Sequence, residues 1–223
     1  MRTIIFGATG MVGMGALLEC LEDQRVQSVL VVGRRSVGVR HLKLEEIIHQ
    51  DFFNYESIAR RFADCDACFF SLGVSSVGMA AETYHHLTYD LTLAAATSMV
   101  RANPGMTFCY VSGEGTDSTE QGRMMWARVK GKTENALLRL PFKAAYMLRP
   151  GYIQPLKGVR SRTRLYQAIY VVLGFLYPVL HALLPRYTTT TVDIGRALIR
   201  LAIHGDAQRV LTTADINRLA GQA

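Results

Sequence analysis

Apolar residues along this chain fall into short unbroken runs that alternate with longer stretches of helical spacing. Thr3 to Phe6 is a β-branched and aromatic run, and an apolar pattern with helical period follows through Ala16, Leu17 and Leu21. "SVLVVGRR" carries a second strand from Ser28 to Gly33, and "EEIIHQDFF" a third that ends near Asp51. "YESIARRFADC" reads as a helix and "DACFFSLG" as a nearly all-apolar strand of the kind buried on both faces. "YDLTLAAATSMVRANP" is a helix stopped by Asn103-Pro104-Gly105. "MTFCYVSGEG" is a fifth strand with its loop, "KTENALLRL" a helix opened by Lys130, and "AAYMLRPGYI" a sixth strand. Strands alternating with helices predict an α/β, doubly wound parallel sheet. Ligands of such sheets sit at the carboxyl ends of strands. Those ends are Gly7–Gly10, Arg34, Asp51, Leu72–Gly73, Ser112–Gly113 and Pro150–Gly151.

The first of these ends carries the most specific chemistry. Gly7, Gly10 and Gly13 stand at GxxGxxG spacing between a strand and a helix, with Ala8, Thr9, Met11 and Val12 completing the turn. Gly7 permits the sharp turn, Gly10 lets the backbone approach a pyrophosphate, and Gly13 lets the helix pack on the sheet. The free N–H groups at the helix start then face the phosphates. This is the context of a dinucleotide-binding, Rossmann-type fold. The second strand ends in Gly33-Arg34-Arg35 and not in a carboxylate. A guanidinium grips a 2′-phosphate that a carboxylate would repel, so the expected cofactor is NADP(H) in preference to NAD(H), with Arg34 the stronger candidate.

"FGATGMVG", "DFFN", "FFSLG", "YVSGEG", "WARVKGKTE" and "LRPGYI" together resemble an atypical short-chain dehydrogenase/reductase. Within it the chain resembles the NADP-binding group that includes the Tat-interacting tumour-suppressor proteins and the NmrA-like proteins. The resemblance is strongest over residues 3–153 and continues weakly into "TTTTVDIGRALI". It implies that Asp51 lies near the adenine amino group, Phe52 beside the ring, Leu72 and Gly73 along the nicotinamide ribose, and Lys130 on the ribose hydroxyls. It also puts Ser112 where the family's substrate-holding serine stands and Lys130 where its lysine stands. The family's chemistry couples hydride transfer to proton transfer from a tyrosine four residues before that lysine. Here that position is Trp126. An indole N–H donates a hydrogen bond but cannot relay a proton. Tyr84, Tyr89, His85, His86, Tyr110 and Glu114 are the titratable groups that could stand in. Two functions follow: an oxidoreductase or isomerase on a small carbonyl or hydroxyl substrate, or a catalytically silent NADP(H)-binding regulator of a protein partner. Trp126 favours the regulator; Ser112 with Lys130 favours the enzyme.

Composition adjusts this picture at three points. About half of the 223 residues are apolar and only 19% are charged, which excludes a disordered chain. The net charge of +7 suits a phosphorylated ligand, but no basic surface interleaved with aromatics argues for nucleic acid. Lys157, Arg160, Arg162 and Arg164 form a basic cluster without an acid among them. Cys65 and Cys68 have CxxC spacing, yet they lie where a helix gives way to a buried strand, and no metal site is expected. No signal peptide is visible, so a cytoplasmic, reducing setting is expected.

Leu165 to Pro185 holds no Asp, Glu, Lys or Arg. Gly174, Pro178 and His181 argue for two short helices with a bend. Within a single domain spanning 1–223, residues of about 152–192 are expected to form a small C-terminal helical lobe. That lobe reads as a buried or homodimer-packing lid over the substrate cleft. Competing readings are a membrane-surface element through 165–185 and a transmembrane span. "TTTTVDIGRALIRLAIHGD" is a helix capped by Thr190 or Thr191 and stopped at Gly205, and "TADINRLAGQA" a last short helix.

Overall fold

The computed structural model describes residues 1–159, Tyr177 and 184–222. Its centre is a seven-stranded, all-parallel sheet. The strands are β1 (Arg2–Phe6), β2 (Ser28–Gly33), β3 (Leu44–Ile48), β4 (Ala67–Phe70), β5 (Thr107–Val111), β6 (Ala144–Arg149) and β9 (Val210–Thr212). Their spatial order is β3-β2-β1-β4-β5-β6-β9. A pair of three-residue strands, β7 (Tyr152–Gln154) and β8 (Thr188–Thr190), forms a separate parallel ribbon. The helices are α1 (Met11–Glu22), α2 (Ala81–His85), α3 (Leu91–Ala102), α4 (Met125–Arg139), α5 (Thr191–His204) and α6 (Thr213–Ala220). A π-helical turn, His86–Asp90, joins α2 to α3. The basic cluster beyond Lys157 and the apolar segment 165–185 lie outside the described residues, apart from Tyr177 and residues 184–185.

Side chains of successive strand residues leave on opposite faces, and this sorts the core into two layers. Ile5, Val29, Val31, Phe69, Cys109, Tyr146 and Leu148 face α1, α5 and α6. Ile4, Phe6, Leu30, Val32, Cys68, Phe70, Phe108, Tyr110 and Met147 face the opposite layer with α3 and part of α4. The strands read as apolar runs because both faces are covered. All four cysteines are free and buried, and burial pushes the Cys65 thiol up to about 11. Among the described residues no group of three His, Cys, Asp or Glu could hold a metal ion, and no helix is long and apolar enough to cross a membrane.

The helix expected over "YESIARRFADC" is only one 3₁₀ turn, Ala59–Phe62. Asp51 and Asn54 accept the backbone N–H groups of Phe53 and Glu56, and such local bonds compete with a helix. The segment is packed by its aromatics instead. Phe52, Tyr55 and Phe62 all lie within 6.5 Å of the Phe6 ring, centroid to centroid. The fold also brings acids distant in sequence to Lys157, the first member of the basic cluster. Its ammonium meets Glu19 at 2.5 Å and Glu22 at 2.6 Å. Glu19 is buried on α1 and also meets Arg196 of α5 at 3.3 Å. α1 and α5 cross at glycines: a Cβ on Gly15 would lie 2.6 Å from Thr191, and one on Gly195 2.6 Å from Glu19. The α5 start is as expected, with the Thr190 hydroxyl accepting the Asp193 N–H, and Gly205 ends it at φ +71°.

The loop between β5 and α4 folds back over α4. Asp117 donates its N–H to the Ala127 carbonyl, and its carboxylate accepts Thr119 Oγ1 at 2.7 Å and the Gly122 N–H at 2.6 Å. Trp126 closes the loop, its ring lying 3.1 Å from where a Cβ on Gly115 would sit. A Cβ on Gly131 would fall deep inside contact distance of the Asp117 carbonyl. The Gly131→Ala change gains about 1 kcal/mol of helix propensity and incurs about 1–3 kcal/mol of overpacking. So severe an approach puts the balance on the destabilising side, which thermal unfolding would register as a lower Tm; an unchanged or higher Tm would mean the loop does not rest on α4.

The Thr119 and Gly122 hydrogen bonds hold the Asp117 carboxyl below its ordinary range. A depressed acid contributes order that is complete above its unfolded pKa, about 4, and is lost as pH falls through the folded value. Trp126 is the only tryptophan. Its emission should therefore shift on acidification below about pH 4 in the wild type, while Asp117→Ala should show the shifted emission already at neutral pH. Identical neutral-pH spectra would contradict this anchoring.

Candidate dinucleotide-binding cleft

The chain reverses its winding between β1 and β4, and the turn after β1 occupies that switch point. Gly7 sits at φ +81°, and a Cβ there would lie 2.7 Å from the Ser71 carbonyl carbon. The Gly10 N–H returns to the Gly7 carbonyl at 2.8 Å. A Cβ on Gly13 would press on the Gly7 carbonyl and lie 2.6 Å from Ser71 Oγ. Gly10 would meet only the Gly7 oxygen, so its outer side faces open space. No side chain caps α1 and no acid stands in its first turn, so among the described residues the N–H groups of Met11 and Val12 are open donors.

A cavity of about 310 Å³ opens from this turn, lined by Gly7, Ala8, Thr9, Val31–Arg35, Phe52 and Leu72. Arg34 and Arg35 are exposed at its rim, and neither guanidinium has a hydrogen bond or ion pair among the described residues. Gln50 Nε2 donates to the Arg34 carbonyl at 3.0 Å, fixing the backbone between them. Asp51 is exposed and outside the lining; its Oδ1 accepts the Phe53 N–H at 2.9 Å. Gly73 is exposed just beyond Leu72. A second hollow of about 370 Å³ lies against Thr9, Gly10 and Met14 and is walled by Lys157–Val159. A larger groove, about 1000 Å³, runs along the flank of α3 opposite residues 53–63, away from the glycine turn.

Farther along the strand ends, Ser112 is buried, and its hydroxyl lies 2.5 Å from Glu134 Oε1 and 3.1 Å from the Leu148 carbonyl. Lys130 donates to the Ser112 carbonyl. Burial pushes the Lys130 ammonium below the ordinary lysine range, and Glu134 pulls it back up. Glu134 is fully buried and receives Arg149, whose Nε lies 3.1 Å from both carboxylate oxygens. Arg149 also donates to Ser118 Oγ. Glu114 is exposed, with its N–H on the Pro150 carbonyl at 2.9 Å. The Gly151 N–H is held by Thr213 Oγ1 at 2.8 Å.

Most stand-ins for the absent tyrosine are engaged elsewhere. His86 stacks on Phe53 at 4.4 Å and meets Asp90 at 3.0 Å. The His85 ring lies tilted against Tyr89, 4.8 Å between centroids, and 3.1 Å from Lys132, whose ammonium also sits over the Tyr89 ring. Tyr84 and Tyr110 are buried, and burial pushes both phenols up, the wrong direction for a proton relay at neutral pH. Glu134 and Arg149 are the polar centre that sequence reasoning missed. Its signal is the Lys130-x-x-x-Glu134 spacing, which puts both on one face of α4.

The residues fit a nicotinamide dinucleotide: a glycine cradle that a Cβ would fill, a helix start with no side-chain cap, and a cavity rimmed by two exposed guanidinium groups. No family model matches the chain. A mitochondrial FMP52 protein of Meyerozyma guilliermondii is 28% identical over 69% of this chain, and the matched segment spans 65% of that relative's length. The FMP52 protein of Eremothecium gossypii, likewise named mitochondrial, is 24% identical over 100% of this chain and 98% of its own. These relatives overturn the expected cytoplasmic setting, which rested on the lack of a visible leader, a feature silent about how such proteins reach an organelle. The Bordetella bronchiseptica enzyme WbmF, solved in complex with NAD+, matches with a TM-score of 0.68 at 15% identity, over 99% of this chain and 77% of WbmF. The chain thus has the doubly wound, Rossmann-type fold of that dinucleotide-bound enzyme.

Proposed function

We propose that this chain binds NADP(H) in preference to NAD(H), as an atypical short-chain dehydrogenase/reductase of the Tat-interacting and NmrA-like group. Its reaction is an oxidation–reduction or isomerisation of a small carbonyl or hydroxyl compound. The observation that carries the reading is the glycine turn opening into a cavity rimmed by Arg34 and Arg35. The N–H groups of Met11 and Val12, with the turn from Gly7 to Gly10, receive the pyrophosphate. Phe52 walls the adenosine side with Asp51 at its margin, Leu72 and Gly73 run along the nicotinamide ribose, and Arg34 takes the 2′-phosphate. Lys130 of α4, whose ammonium reaches the end of β5 at the Ser112 carbonyl, meets the ribose hydroxyls, and Pro150 and Gly151 bound the far side. The bound dinucleotide supplies the hydride.

A second reading is favoured by one observation. Trp126 occupies the proton donor's place, and the Ser112 hydroxyl proton is shared between Glu134 and the Leu148 carbonyl. A cleft so arranged binds nucleotide without offering a proton, as a regulator of a protein partner would.

Titration with NADPH and NADH, exciting Trp126 and reading energy transfer to the reduced nicotinamide, tests the cofactor assignment. NADPH should bind more tightly. Hydrogen bonds to charged groups contribute about 1.5–3 kcal/mol, so Arg34→Ala should weaken NADPH by about tenfold to a hundredfold and leave NADH unchanged. Absence of binding by either nucleotide would sink the proposal. Turnover of aldehydes, ketones or quinones, before and after Trp126→Tyr, separates the enzyme from the regulator.

A further inference from the structure

The most heavily buried charge in the described residues is Glu134, with no exposed side-chain surface to speak of. An isolated carboxylate there would be costly, and it persists because three donors converge on it. Ser112 Oγ comes from the end of β5, and Nε and Nη2 of Arg149 come from the end of β6. Neighbouring strands β5 and β6 are thus tied to α4 at the strand end where the proposed cofactor lies. One turn earlier on α4, Lys130 reaches the carbonyl of the same Ser112. Ser112 is therefore held at both ends, by its hydroxyl and by its carbonyl, from two residues four apart on one helix.

We infer that Glu134 is the positioning residue of this cleft: it anchors Ser112 and supplies the buried counter-charge for Lys130. The inference rests on the reading that Lys130 meets the dinucleotide. Other charges do not take this part. Arg149 from β6 is a cation and opposes Lys130. His85 of α2 and Asp90 of the π turn engage Lys132 or each other. Arg101 of α3 is exposed, Glu114 is exposed in the loop, and the buried phenol of Tyr110 on β5 is uncharged. Burial and Glu134 act on Lys130 in opposite senses. The sign of a change therefore separates two roles. Merely loosening the site would rehydrate Lys130 and raise its titration midpoint. Removing the counter-charge from an intact site lowers it further.

The test reads Lys130 directly in the nucleotide-free protein. Acylation by a small amine-reactive reagent is followed across pH, with the Lys130 peptide quantified by mass spectrometry. Glu134→Gln should lower the midpoint by about one unit and speed acylation at a fixed pH below it about tenfold. Glu134→Asp, which keeps the charge, should restore it toward wild type, and Arg149→Met should raise it. Should Glu134→Gln fail to fold, Glu134→Gln with Arg149→Met removes both charges together and should still fall below Arg149→Met alone. A midpoint that is unchanged or higher in folded Glu134→Gln, or no lower in the double variant than in Arg149→Met, overturns the inference. In parallel, NADPH affinity should weaken on the alkaline side at lower pH in Glu134→Gln than in wild type. If wild type binds no NADPH, the dinucleotide reading fails, while the acylation midpoints still decide whether Glu134 charges Lys130.

Discussion

The structure depends on how closely the backbone of the first turn approaches the sheet. Gly7 must take a left-handed conformation against the Ser71 peptide, and Gly13 must let α1 settle onto the Gly7 carbonyl. L side chains are excluded at both places by backbone atoms, which cannot swing aside as a flexible side chain does. Because α1 lies so low, its start sits at the crevice between β1 and β4, where the chain reverses its winding. The cavity beside Arg34 opens from the same turn.

The opposite side of the cleft is organised by charge. The Glu134–Arg149 pair is sequestered, and Ser112 completes it. Buried pairs are weak sources of stability because desolvation offsets attraction, but losing one partner is severe. Such a pair suits a place where geometry matters more than energy. It fixes the ends of β5 and β6 relative to α4, while the loop that packs on Trp126 is held separately by Asp117.

Much of this was legible in the chain. Strand runs were visible because parallel strands are apolar on both faces, and the glycine turn because backbone crowding admits little else. The cap at Thr190 and the stop at Gly205 followed from local chemistry. Local signals misled where tertiary packing decided: residues 55–65 have helical composition, but Phe52, Tyr55 and Phe62 are claimed by Phe6. β9, only three residues long, and the β7–β8 ribbon have too little pattern to stand out. Lys157 read only as part of a cluster without an acid among its members, because its partners, Glu19 and Glu22, are more than 130 residues away. Glu134 was passed over for a similar reason: a glutamate in a helix reads as solvated, and only the fold places Arg149 over it.

Glu19 bears on how the chain reaches this state during synthesis. Its partners Lys157 and Arg196 lie 138 and 177 residues downstream. The α1 face carrying Gly15, Ala16 and Glu19 is covered by α5, which ends at His204. A nascent chain that has completed β1 to β6 still presents that face bare to water. The nucleotide-facing half therefore cannot mature ahead of the C-terminal half, and its assembly is delayed until the end of the chain has been made.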